Sequence, residues 1–135
     1  MNPENAVSGY LLDTHTAIWA LDRPKSLSSP AREAANSGPN FLSIISYWEV
    51  MIKSMKGKLD VGDPRLWWHE ALDQLVATAL PLRPAHVSAM YDLPPVHQDP
   101  FDRILVAQAK EEGLTLVSMD SEIAQYASSS LRIIG

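Results

Sequence analysis

Four carboxylates, Asp13, Glu49, Asp102 and Asp120, each stand where an apolar run gives way to an expected helix start. The stretches are YLLDTHTAIWAL, FLSIISYWEVMI, HQDPFDRILVAQA and LTLVSMDSEIA. Carboxylate oxygens suit hard divalent ions such as Mg²⁺ or Mn²⁺ better than zinc or copper. Several acids in one crevice can hold one or two such ions. A pair of ions about 3.5–4 Å apart stabilises both the attacking and the leaving oxygen of an in-line phosphoryl displacement. Neither a Ser–His–Asp set nor an HExxH histidine spacing competes for the role, and the chain has no cysteine. The chemistry this pattern suggests is metal-assisted phosphoryl displacement, with metal-bound water as the nucleophile.

Such a site requires elements that bring distant residues together. Residues 10–13 read as a buried strand, 14–21 as a helix closed by Arg23-Pro24, and 30–37 as a helix capped by Ser29. Residues 41–44 form a second expected strand and 46–56 a helix stopped by Gly57. Asp63-Pro64 opens a further helix, 79–82 is a weak strand, and 84–93 is helical. A helix over 100–112 ends at Gly113 and precedes a strand at 114–117, a helix at 121–127 and a last strand at 131–134. Strands alternating with helices imply a parallel sheet covered on both faces, a three-layer α/β domain. In open α/β sheets ligands bind beyond the carboxyl ends of the strands, where these acids fall.

Each acid also has a purely structural explanation. Asp13 and Asp120 have the position of helix N-caps. Ser46 and Glu49 have the spacing of a capping box, with Ile45 and Val50 at the hydrophobic-staple positions. Asp99 is a natural cap before Pro100, which leaves Asp102 in the first turn facing the helix dipole. Asp63 serves as a control: it has the same cap-plus-proline grammar without a preceding strand, and reads as a plain cap. The common edge of the sheet separates the four acids from it.

LLDTHTAIW, SYWEVMIK, HQDPFDRILVAQA and LVSMDSEI, in this order and near these spacings, resemble the PIN-domain ribonucleases, in particular the VapC-type toxins of bacterial toxin–antitoxin pairs. The resemblance spans residues 10–134 and implies one PIN domain over 10–135 after an N-terminal extension at 1–9. It implies a five-stranded parallel sheet of order 3-2-1-4-5 and a metal-dependent endoribonuclease with Asp13, Glu49, Asp102 and Asp120 as catalytic metal ligands. Thr14 and Ser118 match the family's hydroxyl positions. Asp99 is a supporting residue whose capping role comes first, and Glu122 is a candidate auxiliary ligand. By the same resemblance the partners are RNA, a VapB-type antitoxin whose tail inserts a basic side chain into the pocket, and a second copy in a homodimer.

Other residues are open to two roles. Arg103 is suited either to substrate phosphate or to a neighbouring carboxylate. His15 is expected near the crevice and His97 at its mouth, whereas His69 and His86 read as helix-surface residues. Trp19 and Trp48 are expected in the core. Trp67 and Trp68 diverge by about 100° on their helix, so one of them is expected at a groove or an oligomer surface.

Composition narrows the classes further. With 135 residues, 46% hydrophobic and 20% charged, the chain is an ordinary single globular domain. A net charge of −5 argues against a general nucleic-acid coat protein but not against a nuclease whose pocket is neutralised by ions. No apolar stretch reaches the roughly 18 residues of a membrane span, and MNPENAVSG lacks the features of a signal peptide. These features and the absence of cysteine suit a cytoplasmic protein. Two rivals stand beside the nuclease reading. One is a non-catalytic RNA- or protein-binding module whose acids only cap helices. The other is an Asp-based phosphotransfer domain; against it, His15 occupies the position of a second Asp, and the last lysine, Lys110, lies within a helix.

Overall fold

The computed structural model describes residues 9–135, so all but Gly9 of the extension expected at residues 1–9 lies outside the described residues. Gly9 is already tied to the sheet, its carbonyl accepting from the Thr115 amide. Five parallel strands form one sheet in the order β3-β2-β1-β4-β5, as expected. They are β1 (Tyr10–Leu12), β2 (Asn40–Ser43), β3 (Ala77–Leu80), β4 (Thr115–Val117) and β5 (Ile133–Ile134). The α-helices are α1 (Thr14–Asp22), α2 (Ser29–Ser37), α3 (Ile44–Met55), α4 (Pro64–Gln74), α5 (Pro84–Ala89), α6 (Pro100–Glu112) and α7 (Ser121–Ala124).

Alternation along the strands creates the three layers. Leu11 and Leu116 point into one core with Ile104, Leu105 and Ala109 of α6. Their neighbours Leu12 and Val117 face the opposite side, against Ala31 and Ala34 of α2. Leu42 shares that side with Ala17 and Ile18 of α1 and Trp67, Trp68 and Ala71 of α4. Both faces of the central strands are therefore dry, which accounts for their continuous apolar runs.

Several expectations are corrected. The cap of α2 is Ser28, which accepts from the Ala31 amide, one residue before the expected Ser29. The third strand lies two residues earlier than expected, because Pro81 has no N–H for a ladder while Ala77 pairs in register with Asn40. Helix α5 stops at Ala89 and continues as a 3₁₀ turn over Met90–Asp92. Trp67 and Trp68 are both buried, at 6% and 7% exposure. Helix α4 is covered on two sides, with Tyr47 of α3 stacked on Trp68 at 4.9 Å and Ile18 of α1 in the same cluster as both tryptophans. Trp48, expected in the core, is 55% exposed and meets Phe101 edge-on at 5.3 Å. His86 is not a surface residue but is fully buried; its Nδ1 accepts from the Arg83 amide and its Nε2 lies 3.2 Å from Glu112.

Candidate active site

Strand β1 is flanked by β2 on one side and β4 on the other, so successive crossovers diverge from it and leave a crevice at its carboxyl end. Asp13 follows β1 directly. Its amide donates to the Val117 carbonyl, extending the β1–β4 ladder by one bond, and Oδ1 accepts from the Thr16 amide as the N-cap of α1. Ser118 and Asp120 follow β4. The Ser118 hydroxyl accepts from the Asp120 amide. Asp120 caps α7 through the Glu122 amide at 2.8 Å.

Glu49 arrives on α3, and not as part of a capping box. The cap of that helix is Ser43, whose Oγ accepts from the Ile45 amide, so the helix begins earlier than expected and Glu49 falls in its second turn. Glu49 Oε1 accepts the Thr14 hydroxyl at 2.7 Å, and Thr14 Oγ1 lies 2.9 Å from Ser46 Oγ. Lys53, one turn further along, donates to Oε2 at 2.6 Å. Burial disfavours the Lys53 ammonium, but the hydrogen bond and charge of Glu49, with Asp99 and Asp102, outweigh it and hold its pKa above the usual lysine value.

Asp102 comes from the first turn of α6, where Asp99 is the cap and accepts from the Phe101 and Asp102 amides. His97 stands among carboxylates: Nε2 is 2.8 Å from Asp102 Oδ2 and 3.8 Å from Asp120 Oδ2, and Nδ1 is 2.9 Å from Glu122 Oε2. All four acids line one open cavity of about 460 Å³, together with His15, Lys53, His97 and Asp99. Asp63 lies outside it, capping α4 and pairing with Arg65 at 2.8 Å.

Electrostatics separate the cap from two of the cavity acids, Asp13 and Asp102. The Arg65 hydrogen bond holds Asp63 below the ordinary carboxyl value. Desolvation pushes the nearly buried Asp13 carboxyl up, against the lowering effect of its bonds to Ser118 and Thr16. Asp102 is raised to about 7, first by burial and then by the negative charges of Asp99 and Glu49, with His97 opposing. Carboxylates pressed together in a partly dry cleft repel until a proton or a cation neutralises them. The donors are mainly oxygens, which fits a hard divalent ion. Asp102, Asp120 and His97 each offer one ligand atom within 4.8 Å of the others.

Two residues of this region were not identified from the sequence. Lys53 has a local signal, the Glu49–Lys53 spacing of four on a helix. Tyr126 has none: its hydroxyl, brought from beyond α7, accepts the His97 amide at 2.9 Å and fixes the loop before α6. Arg103 pairs with no carboxylate among the described residues and does not line the cavity. Its guanidinium donates to the carbonyls of Met90, Pro94 and His97 and to the Tyr126 hydroxyl, bracing that same loop.

Residues 10–128 match the family model of the PIN domain. The chain is 29% identical over 118 residues to ribonuclease VapC22 of Mycobacterium tuberculosis, covering 86% of this chain and 90% of that protein. Among solved structures, DNA-bound VapBC from Salmonella typhimurium matches with a TM-score of 0.67 at 17% identity, over 92% of this chain and 95% of that one. VapBC2 from Rickettsia felis, bound to a DNA fragment from its promoter, matches with a TM-score of 0.65 at 14% identity, over 92% and 96% of the two chains.

Proposed function

The chain belongs to the PIN domain family, and from that premise we propose that it is a metal-dependent endoribonuclease acting as the toxin of a VapBC-type pair. The observation that carries the reading is the convergence of Asp13, Glu49, Asp102 and Asp120, from four separate segments, on one acidic cavity. Bound Mg²⁺ or Mn²⁺ supplies an acidified water and neutralises charge at the scissile phosphodiester. In this reading the four acids hold that ion, and the protein's remaining work is to orient them. Thr14 fixes one oxygen of Glu49, and Ser118 orders the turn before Asp120. Asp99 orders the first turn of α6 beneath Asp102. Glu122 acts through His97.

The partners follow from the same reading. RNA is the substrate, and a VapB-type antitoxin inhibits by directing a basic side chain into the acidic cavity. A homodimer is the functional unit, working in the cytoplasm. Among the described residues no helix is long and apolar enough to cross a membrane.

The test is cleavage of RNA by purified Asp13→Asn and Asp102→Asn variants in Mn²⁺. Both are expected to lose activity by at least about a hundredfold, the scale at which removing charge-stabilising groups acts, with unchanged circular dichroism. Wild-type cleavage rates in either variant refute the assignment.

A further inference from the structure

The cavity wall carries five carboxylates, Asp13, Glu49, Asp99, Asp102 and Asp120, and a single lysine, with no arginine. That lysine is committed to one acid. Glu49 is almost fully enclosed, with its side chain 3% exposed; one oxygen takes the Thr14 hydroxyl and the other takes Lys53 at 2.6 Å. The Lys53 side chain remains 33% exposed, so the ammonium lies at the boundary between the enclosed acid and the open cavity. As the structure stands, the charge of Glu49 is neutralised from within the chain.

An ammonium and a divalent ion touching one carboxylate would stand about 4 Å apart and repel each other. They are therefore alternative partners for Glu49. When Glu49 turns to an ion, Lys53 is left on a flexible stem at the edge of a cavity whose other lining residues include four further carboxylates. A compact, rotatable ammonium binds phosphate oxygens as a point charge.

We infer that Lys53 is an exchangeable counter-cation: it holds Glu49 while no divalent ion is bound, and contacts the RNA phosphate backbone once Glu49 is engaged elsewhere. The inference rests on the nuclease reading and assigns Lys53 as a substrate-binding residue. It predicts opposite effects on the two ligands. Without the ammonium, a divalent ion has no competitor for Glu49 and meets a more negative cavity, whereas the RNA loses a positive contact. A lysine serving only to stabilise α3 would not move the two affinities in opposite directions.

The experiment compares wild type, Lys53→Met and Lys53→Arg. Titration of Mn²⁺ into RNA-free protein by calorimetry is expected to give a Kd about three- to tenfold lower for K53M, the range of a partly exposed ion pair. Steady-state cleavage of an RNA oligonucleotide at saturating Mn²⁺ is expected to show KM raised about three- to tenfold in K53M, by more than kcat falls, with K53R returning KM toward wild type. If K53M loses its fold, Lys53→Gln carries the same expectation while keeping a neutral donor to Glu49. An unchanged or weaker Mn²⁺ affinity in the neutral variant, or an unchanged KM, overturns the inference while wild-type cleavage leaves the nuclease reading intact. If wild type itself neither binds Mn²⁺ nor cleaves RNA, that reading falls, and the role of Lys53 with it.

Discussion

The raised carboxyl of Asp102 makes the ion-free protein's stability depend on pH in a direction opposite to that of a salt-bridged acid. The group titrates at 3.8 when unperturbed and at about 7 in the fold. The folded chain therefore holds this proton more tightly than the unfolded chain, and stability falls as pH rises between these two values. With the Asp102 side chain only 18% exposed, solvent screens little of the effect. Linkage then gives a loss of about 2–3 kcal/mol between pH 5 and pH 8. Asp13, also raised by burial, acts in the same direction. Urea unfolding in EDTA, followed by tryptophan fluorescence, measures this loss directly. Asp102→Asn is expected to remove most of the pH dependence and to be more stable than wild type at pH 8. Millimolar Mn²⁺ is expected to restore the wild-type protein at pH 8 by binding the folded state. Ion-free wild type that is as stable at pH 8 as at pH 5, or an Asn variant with the same pH dependence, refutes the claim that these acids repel each other.

Three further predictions concern the scaffold. Trp68→Ala, which empties a buried site stacked on Tyr47, should cost about 3–5 kcal/mol in denaturant unfolding. Trp48→Ala, at an exposed position against Phe101, should cost about 1 kcal/mol or less. Arg103→Ala should cost about 1–3 kcal/mol and speed amide hydrogen exchange across residues 94–98, with the α6 core unaffected. Exchange in that loop equal to wild type would show that Arg103 does not brace it.

The architecture was legible because the strands are short apolar runs with buried faces on both sides, punctuated by Gly and Pro. The positions of the four acids could be read for the same reason: β1 and β4 end at Leu12 and Val117, and whatever follows them must line the switch-point crevice. What escaped was set by tertiary packing. Trp68 is buried because Tyr47 arrives from α3, and 100° of helical divergence says nothing about a second covering helix. His86 is buried because α6 lies against α5, placing Gln108 3.3 Å from its ring and Glu112 beyond it. The Ser46–Glu49 capping box was a true spacing with the wrong register, since Ser43 caps α3 first. Arg103 looked like an anion binder because its chemistry suits one, but carbonyls from the loop before α6 take up its donors. Asp99 and Asp120 show that capping and lining the cavity are compatible, because capping a helix N-terminus also orients the carboxylate. Cap grammar could not by itself separate Asp63 from the cavity acids; the common edge of the sheet did.

The convergence of these acids on one cavity is proposed to make an ion-dependent phosphodiesterase site. It is tested most directly by incubating purified protein with end-labelled RNA in Mn²⁺ or in EDTA and identifying the new termini. Cleavage is expected only with the divalent ion, leaving 5′-phosphate and 3′-hydroxyl ends, as when water attacks phosphorus and the 3′ oxygen leaves. Cleavage that persists in EDTA, or termini bearing 2′,3′-cyclic phosphate, would contradict it.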